Sequence, residues 1–229
     1  MPDLIITPAS NDINSSGGTL VLRTSDAQPL SLKTNNSDAL YINSSGSVGI
    51  GTTTANTKLK VLGSFSQRAA GTTEIQEYKN VITFSLDDNG TGGYVVKTPF
   101  LIGSSYEMAI VHVKGYGYGA AAIYDFKVVF YDYGPSSAPI NYSLVDLGND
   151  GTIKYLGKDS SGYVNICFGG LASTNYYFRF TVDCTTTRSN ADYSQGWSIT
   201  QTQSANYGLS ALYAISSPVS FTQSGSVGI

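Results

Sequence analysis

The chain has 229 residues, of which 41% are hydrophobic and only 13% charged, and it carries 17 tyrosines and 25 glycines. That apolar share excludes a disordered chain. A net charge of −3 supplies neither the basic footprint of a nucleic-acid binder nor a polybasic segment for an anionic membrane surface.

The opening MPDLIITPAS has no basic region followed by a long apolar stretch, so export through a secretory signal is not expected. No apolar run along the chain is long enough for a membrane-spanning helix. Residues 1–63 read as short β pieces separated by polar clusters. INSSG occurs at 13–17 and again at 42–46. Between the copies, TLVLRT and PLSLKT alternate with period 2, placing Leu20, Leu22, Leu30 and Leu32 on one face and Arg23 and Lys33 on the other. KLKVLG continues the alternation with Leu59 and Val61. Small strands with so few large side chains cannot bury a core alone; they need stacking or partner chains.

From 64 to 220 the strands lengthen. They are predicted near 80–86, 93–102, 106–115, 121–132, 140–147, 151–157, 162–169, 175–184 and 196–203. Turn chemistry separates them in DDNGTGG, YGPSSAP, GNDG and KDSSG. With no 3.6-residue period, this spacing predicts an antiparallel β-sandwich of jelly-roll-like type. The alternation around Met108, Ile110, His112 and Lys114 is mixed and does not assign an inward face. The last stretch, 221–229, ends on SGSVGI, repeating residues 45–50, and reads as the start of a second segment of the first kind.

Chemistry-bearing residues are sparse. Cys167 and Cys184 lie in strand-like stretches and read as buried thiols; a disulfide requires their strands to be neighbours. The one histidine, His112, sits in a strand with no nucleophile elbow beside it. The acids of DDNG (87–90) and DLGNDG (146–151) stand where turns are expected and read as solvated turn carboxylates, not as a calcium loop or a glycosidase pair. The expectation is therefore no catalytic residue, no metal site and no cofactor. Tyrosine is the informative residue. In the strands, Tyr124, Tyr131 and Tyr177 are expected in the core or at a trimer interface. In GYGYG (115–119), glycines on both sides place Tyr116 and Tyr118 in a hairpin or bulge, where a rigid ring with a polar tip suits receptor contact.

Residues 40–64, LYINSSGSVGIGTTTANTKLKVLGS, resemble a segment of bacteriophage tail-fibre and tailspike shafts, built as GxVGIGTT, a short linker and a KLxVxG strand. The resemblance covers residues 29–64 and 224–229 and does not extend to the sandwich. It implies a homotrimeric β shaft with Val48, Ile50, Leu59, Val61, Val227 and Ile229 on the axial face, and a chaperone tail removed after assembly. The implied setting is a virion tail fibre or spike assembled in the host cytoplasm. Its partners there are other tail subunits and a host-surface glycan or protein, with no nucleic acid and no membrane insertion. The sandwich then is a head inserted between shaft segments. Two other readings remain open at this point: a purely structural fibre, collar or decoration protein, and a bacterial adhesin or filament subunit.

Overall fold

A computed structural model describes residues 24, 27–68, 75–104, 106–118, 122–132, 137–187, 191–215, 220–221 and 227–228. The chain divides into two compact units between Leu62 and Gly63.

The described part of the first unit is a four-stranded sheet of β1 (Leu30–Thr34), β2 (Ser37–Ile42), β3 (Val48–Ile50) and β4 (Leu59–Val61), in that order. The β1–β2 hairpin turns on Asn35 and Asn36, both at positive φ, as a two-residue primed turn requires. Asn43 then shapes the step into β3: its Oδ1 accepts the Ser45 and Ser47 backbone N–H groups at 3.1 and 2.8 Å. The Gly-rich hexapeptide is thus explained locally. A Cβ on Gly49 would collide with the Thr52 carbonyl, so only glycine lets the chain fold back behind β3. β3 pairs antiparallel with β2 and parallel with β4.

Residues directly opposed across a ladder share a face, as do residues two apart along a strand. Two rows follow from the register: Leu30, Ile42, Val48 and Leu59, then Leu32, Leu40, Ile50 and Val61. All eight lie on one face. The other carries Ser31, Tyr41, Gly49 and Lys60. Leu32, Ile50 and Leu59 are exposed and none of the eight is fully buried.

The second unit is a sandwich of two antiparallel sheets. One contains β5 (Phe65–Arg68), β6 (Gln76–Ser85), β7 (Asn89–Thr91), β9 (Met108–Tyr118), β10 (Ala122–Tyr131), β11 (Ile140–Asp146) and β14 (Thr174–Thr186). Its order is β11-β10-β9-β14-β6-β5, with β7 pairing to β14. The other contains β8 (Gly93–Leu101), β12 (Lys154–Lys158), β13 (Tyr163–Phe168), β15 (Ser198–Thr202) and β16 (Ala211–Ile215), ordered β15-β8-β13-β12-β16. Every strand predicted in this region is present. β5, β7 and β16 were not anticipated, the first two being too short to show a period.

On β9 the inward residues are Ala109, Val111 and Val113, which assigns the face left open by the sequence. On β10 they are Tyr124, Phe126, Val128 and Phe130. They meet Val96, Phe100, Leu156, Val164, Ile166 and Phe168 from the second sheet in one core. Phe168 stands at its centre, with rings of Tyr94, Phe126 and Phe180 within 5.1–5.5 Å. Burying such a side chain contributes about 1.5–3 kcal/mol. Cys167 lies on β13 and Cys184 on β14, in different sheets, and both are free and buried. The strands are not neighbours, so the condition for a disulfide is not met.

The second hexapeptide copy pairs differently from the first. β17 (Ser220–Phe221) meets β18 (Val227–Gly228) antiparallel, and both belong to the sandwich unit. Val227 opposes Phe221, whereas Val48 sits between Ile42 and Leu59. Ile229 lies outside the described residues.

Candidate functional site

The run Gly-Tyr-Gly-Tyr ends β9 as regular strand, not as turn. Inward positions are Gly115 and Gly117, because β14 comes close there, with its backbone at Gly115 and the Phe178 ring at Gly117. A Cβ on Gly115 would collide with Phe180, and one on Gly117 would sit 3.3 Å from the Phe178 ring. Period 2 then sends Tyr116 and Tyr118 outward, 49% and 59% exposed. The glycines accordingly serve the core, and the tyrosines are what the strand presents. Residues 119–121 lie outside the described residues.

The neighbouring strand enlarges this surface. In β14, Tyr176 opposes Tyr118 and Arg179 opposes Tyr116, so three steps on one strand match two on the other. This bulge holds Tyr177 at φ 43° and turns both Tyr176 and Tyr177 outward. Tyr177, expected in the core or at a trimer interface, is exposed in the single chain. Tyr124 is buried as expected and Tyr131 is half-buried. Tyr118 and Tyr177 meet edge to face at 5.9 Å. With Tyr116 and Arg179 they line a shallow hollow of about 420 Å³. Arg179 reaches Asp87 at 3.2 Å across an exposed rim, a pair of little energetic weight.

Sequence reasoning overlooked Tyr177 and Arg179, although Phe178, Phe180 and Val182 pointing inward already require them to point out. Tyr176 had no such signal: strict alternation puts it inside, and only the bulge exposes it.

The acids of the β11–β12 connection also depart from expectation. Asp146 and Asp150 are not solvated but converge on Lys154, whose Nζ lies 2.7 Å from Asp146 and 2.5 Å from Asp150. The Thr152 hydroxyl donates to Asp150 as well. Burial pushes the Asp150 carboxyl above its ordinary value and outweighs the opposing pull of Lys154 and Thr152. The other acidic turn behaves as expected, with the Asp87 side chain exposed.

Elsewhere on the outward face of the same sheet, His112 Nε2 lies 2.6 Å from Asp125 Oδ1, giving the strand histidine a hydrogen-bond partner. Asp183 is nearly buried beneath two lysines. It accepts the Asn80 N–H at 3.0 Å and the Lys114 ammonium at 2.6 Å. Burial alone would raise its pKa, but these bonds and the charges of Lys114 and Lys79 hold it below the usual carboxylate range. Among the described residues there is no cluster of three or more His, Cys, Asp or Glu able to hold a metal ion. None of the helices there is long and apolar enough to cross a membrane.

Comparison with family models and with curated proteins returns no match.

Proposed function

We propose that the protein is a phage tail-fibre or spike component that attaches to a host surface by non-covalent receptor binding, as a homotrimer in the virion. The observation that carries this reading is the one-sided apolar face of the first unit. Its eight apolar positions include Val48, Ile50, Leu59 and Val61, the residues that the shaft resemblance assigns to a trimer axis. A small sheet with one greasy face and open edges is marginal alone and is stabilised when further copies cover it. The tyrosine shelf of the sandwich supplies the contact chemistry: Tyr116 and Tyr118 offer rigid rings with polar tips, and three copies add avidity. The role is binding, with no reaction assigned to it. Two measurements on the full chain test the reading together. Native mass spectrometry should give three times 24.3 kDa, and labelled protein should decorate cells of at least one isolate in a bacterial panel. A monomer that decorates no cell overturns it.

A further inference from the structure

Beside the tyrosine shelf the surface continues into a cleft of about 410 Å³ between the sheet ends, and Tyr118 lines both. The cleft is walled by Tyr118 and Tyr176, and Asp150 and Tyr124 lie deeper among its lining residues, with hydroxyls from Thr152 and Ser173. A third hollow of about 410 Å³ adjoins it, sharing Thr152 and Gly170 and lined further by Tyr155, Leu171 and Tyr207. Each hollow has the volume of a small-molecule subsite. Each joins the next through residues common to both.

The far hollow is built, not incidental. The Tyr207 hydroxyl donates to the Gly169 carbonyl at 2.7 Å, and a Cβ on Gly93 would strike the Tyr207 ring, so its wall is fixed from two sides. Asn206 and Tyr207 hold left-handed φ values of 52° and 55°, a local strain of the kind concentrated at ligand sites.

The lining selects the class of occupant. Tyr118, Tyr176 and Tyr155 line these hollows together with the hydroxyl residues Thr152 and Ser173, a mixture of aromatic and hydroxyl groups that suits sugar rings with apolar faces and hydroxyl edges. Two charged groups line the three hollows and each has an opposite partner, Asp150 with Lys154 and Arg179 with Asp87, so an anionic polymer finds no unpaired counter-charge. The junction residues Thr152 and Gly170 are loop positions, so an extended peptide finds no strand ladder to join there.

We infer that the three hollows form one groove for a neutral oligosaccharide, with Tyr118 between the first and second sugar units and Thr152 and Gly170 between the second and third. This rests on the attachment reading and narrows its receptor to an uncharged glycan read over several units.

The test titrates the full chain with neutral gluco-, galacto- and N-acetylglucosamine oligosaccharides, from mono- to tetrasaccharide, by calorimetry. Affinity should rise with length up to the trisaccharide and then level. Tyr176→Ala should weaken trisaccharide binding about tenfold, the loss of one stacked ring. Ser173→Trp, a substitution at an exposed position that fills the middle hollow, should reduce binding to that of a single unit. No binding by any series, affinity independent of length, or indifference to Ser173→Trp overturns the groove, as does capture of a peptide there in place of sugar. Whole-cell decoration by the same variants separates the two readings. Decoration that survives Ser173→Trp removes the groove and leaves host attachment standing. Length-dependent sugar binding by a protein that decorates no cell leaves the groove and removes attachment.

Discussion

Lys154 Nζ and Asp150 Oδ1 stand 2.5 Å apart with both side chains 1% exposed, a fully desolvated ion pair at the rim of the sandwich. Asp146 shares the same ammonium at 2.7 Å. Removing one member of such a pair leaves an uncompensated buried charge, whereas replacing both with apolar groups is often neutral. Lys154→Met should therefore cost about 3–5 kcal/mol in urea unfolding. Lys154→Met combined with Asp150→Leu and Asp146→Asn, which leaves no carboxylate facing the lost ammonium, should recover much of it. Equal loss in the single and triple variants would mean that the site is held by packing, not by charge.

Asp183 and Asp150 give opposite pH dependences. The folded pKa of Asp183 lies below its ordinary 3.8, so its contribution is fully present above pH 3.8 and is lost as pH falls through the folded value. Asp150 is raised above 3.8, so ionising it costs stability as pH climbs from 3.8 through its folded value. Chemical denaturation of the parent and Asp183→Asn across the acid range checks the first sign. The gap between them should be widest at neutral pH and close on acidification below 3.8. For Asp150→Asn the gap to the parent should instead shift in the variant's favour as pH rises above 3.8.

The two cysteines give a sharper test of the layer arrangement. Burial pushes the Cys167 thiol up to about 12 and drives Cys184 higher still. At neutral pH neither holds an appreciable thiolate fraction, and both are buried, Cys184 in the core between the sheets and Cys167 in a second cluster with Val95 and Tyr207. Iodoacetamide should leave the native protein unmodified and add two groups after denaturation, read by intact mass. Native labelling of Cys184 would show that the sheets part more readily than the packing implies, and labelling of Cys167 that the Tyr207 cover over β13 opens.

The sandwich was legible because its strands obey one rule: inward residues alternate with outward ones, and turns carry Gly, Asn and Asp. Where that rule holds, as in the strand predicted at 121–132, sequence and structure agree, whereas the mixed pattern of β9 left its inward face to the structure. It gives way where a single inserted residue changes the count. The bulge between Tyr176 and Arg179 is invisible in NYYFRF, yet it places Tyr176 beside Tyr118 and so opens the cleft. The buried Lys154 cluster escaped for a related reason. DLGNDG is turn chemistry by composition, and nothing local shows that β12 carries a lysine back beneath it. In the first unit, the hexapeptide's glycines suit either a tight turn or a close approach of backbones. Within one chain Gly49 already has a sufficient cause, the Thr52 carbonyl behind it.

That distinction bears on the last prediction, which concerns the face and not the glycines. Ile50 and Leu59 are exposed members of the apolar rows, while Lys60 belongs to the opposite face of the same sheet. If three copies close over the rows, covering each aliphatic side chain contributes about 1.5–3 kcal/mol, and the gain is repeated in every chain. An aspartate there would instead place a carboxylate against two others at close range. Ile50→Asp with Leu59→Asp should convert the assembly to monomer in light scattering. Lys60→Asp, carrying a charge change of the same sign on the other face, should leave the assembly intact. Near-ultraviolet dichroism of the sandwich should be unchanged in both variants, because its aromatic core lies wholly within the second unit. An assembly that survives the double substitution would remove this face as its interface.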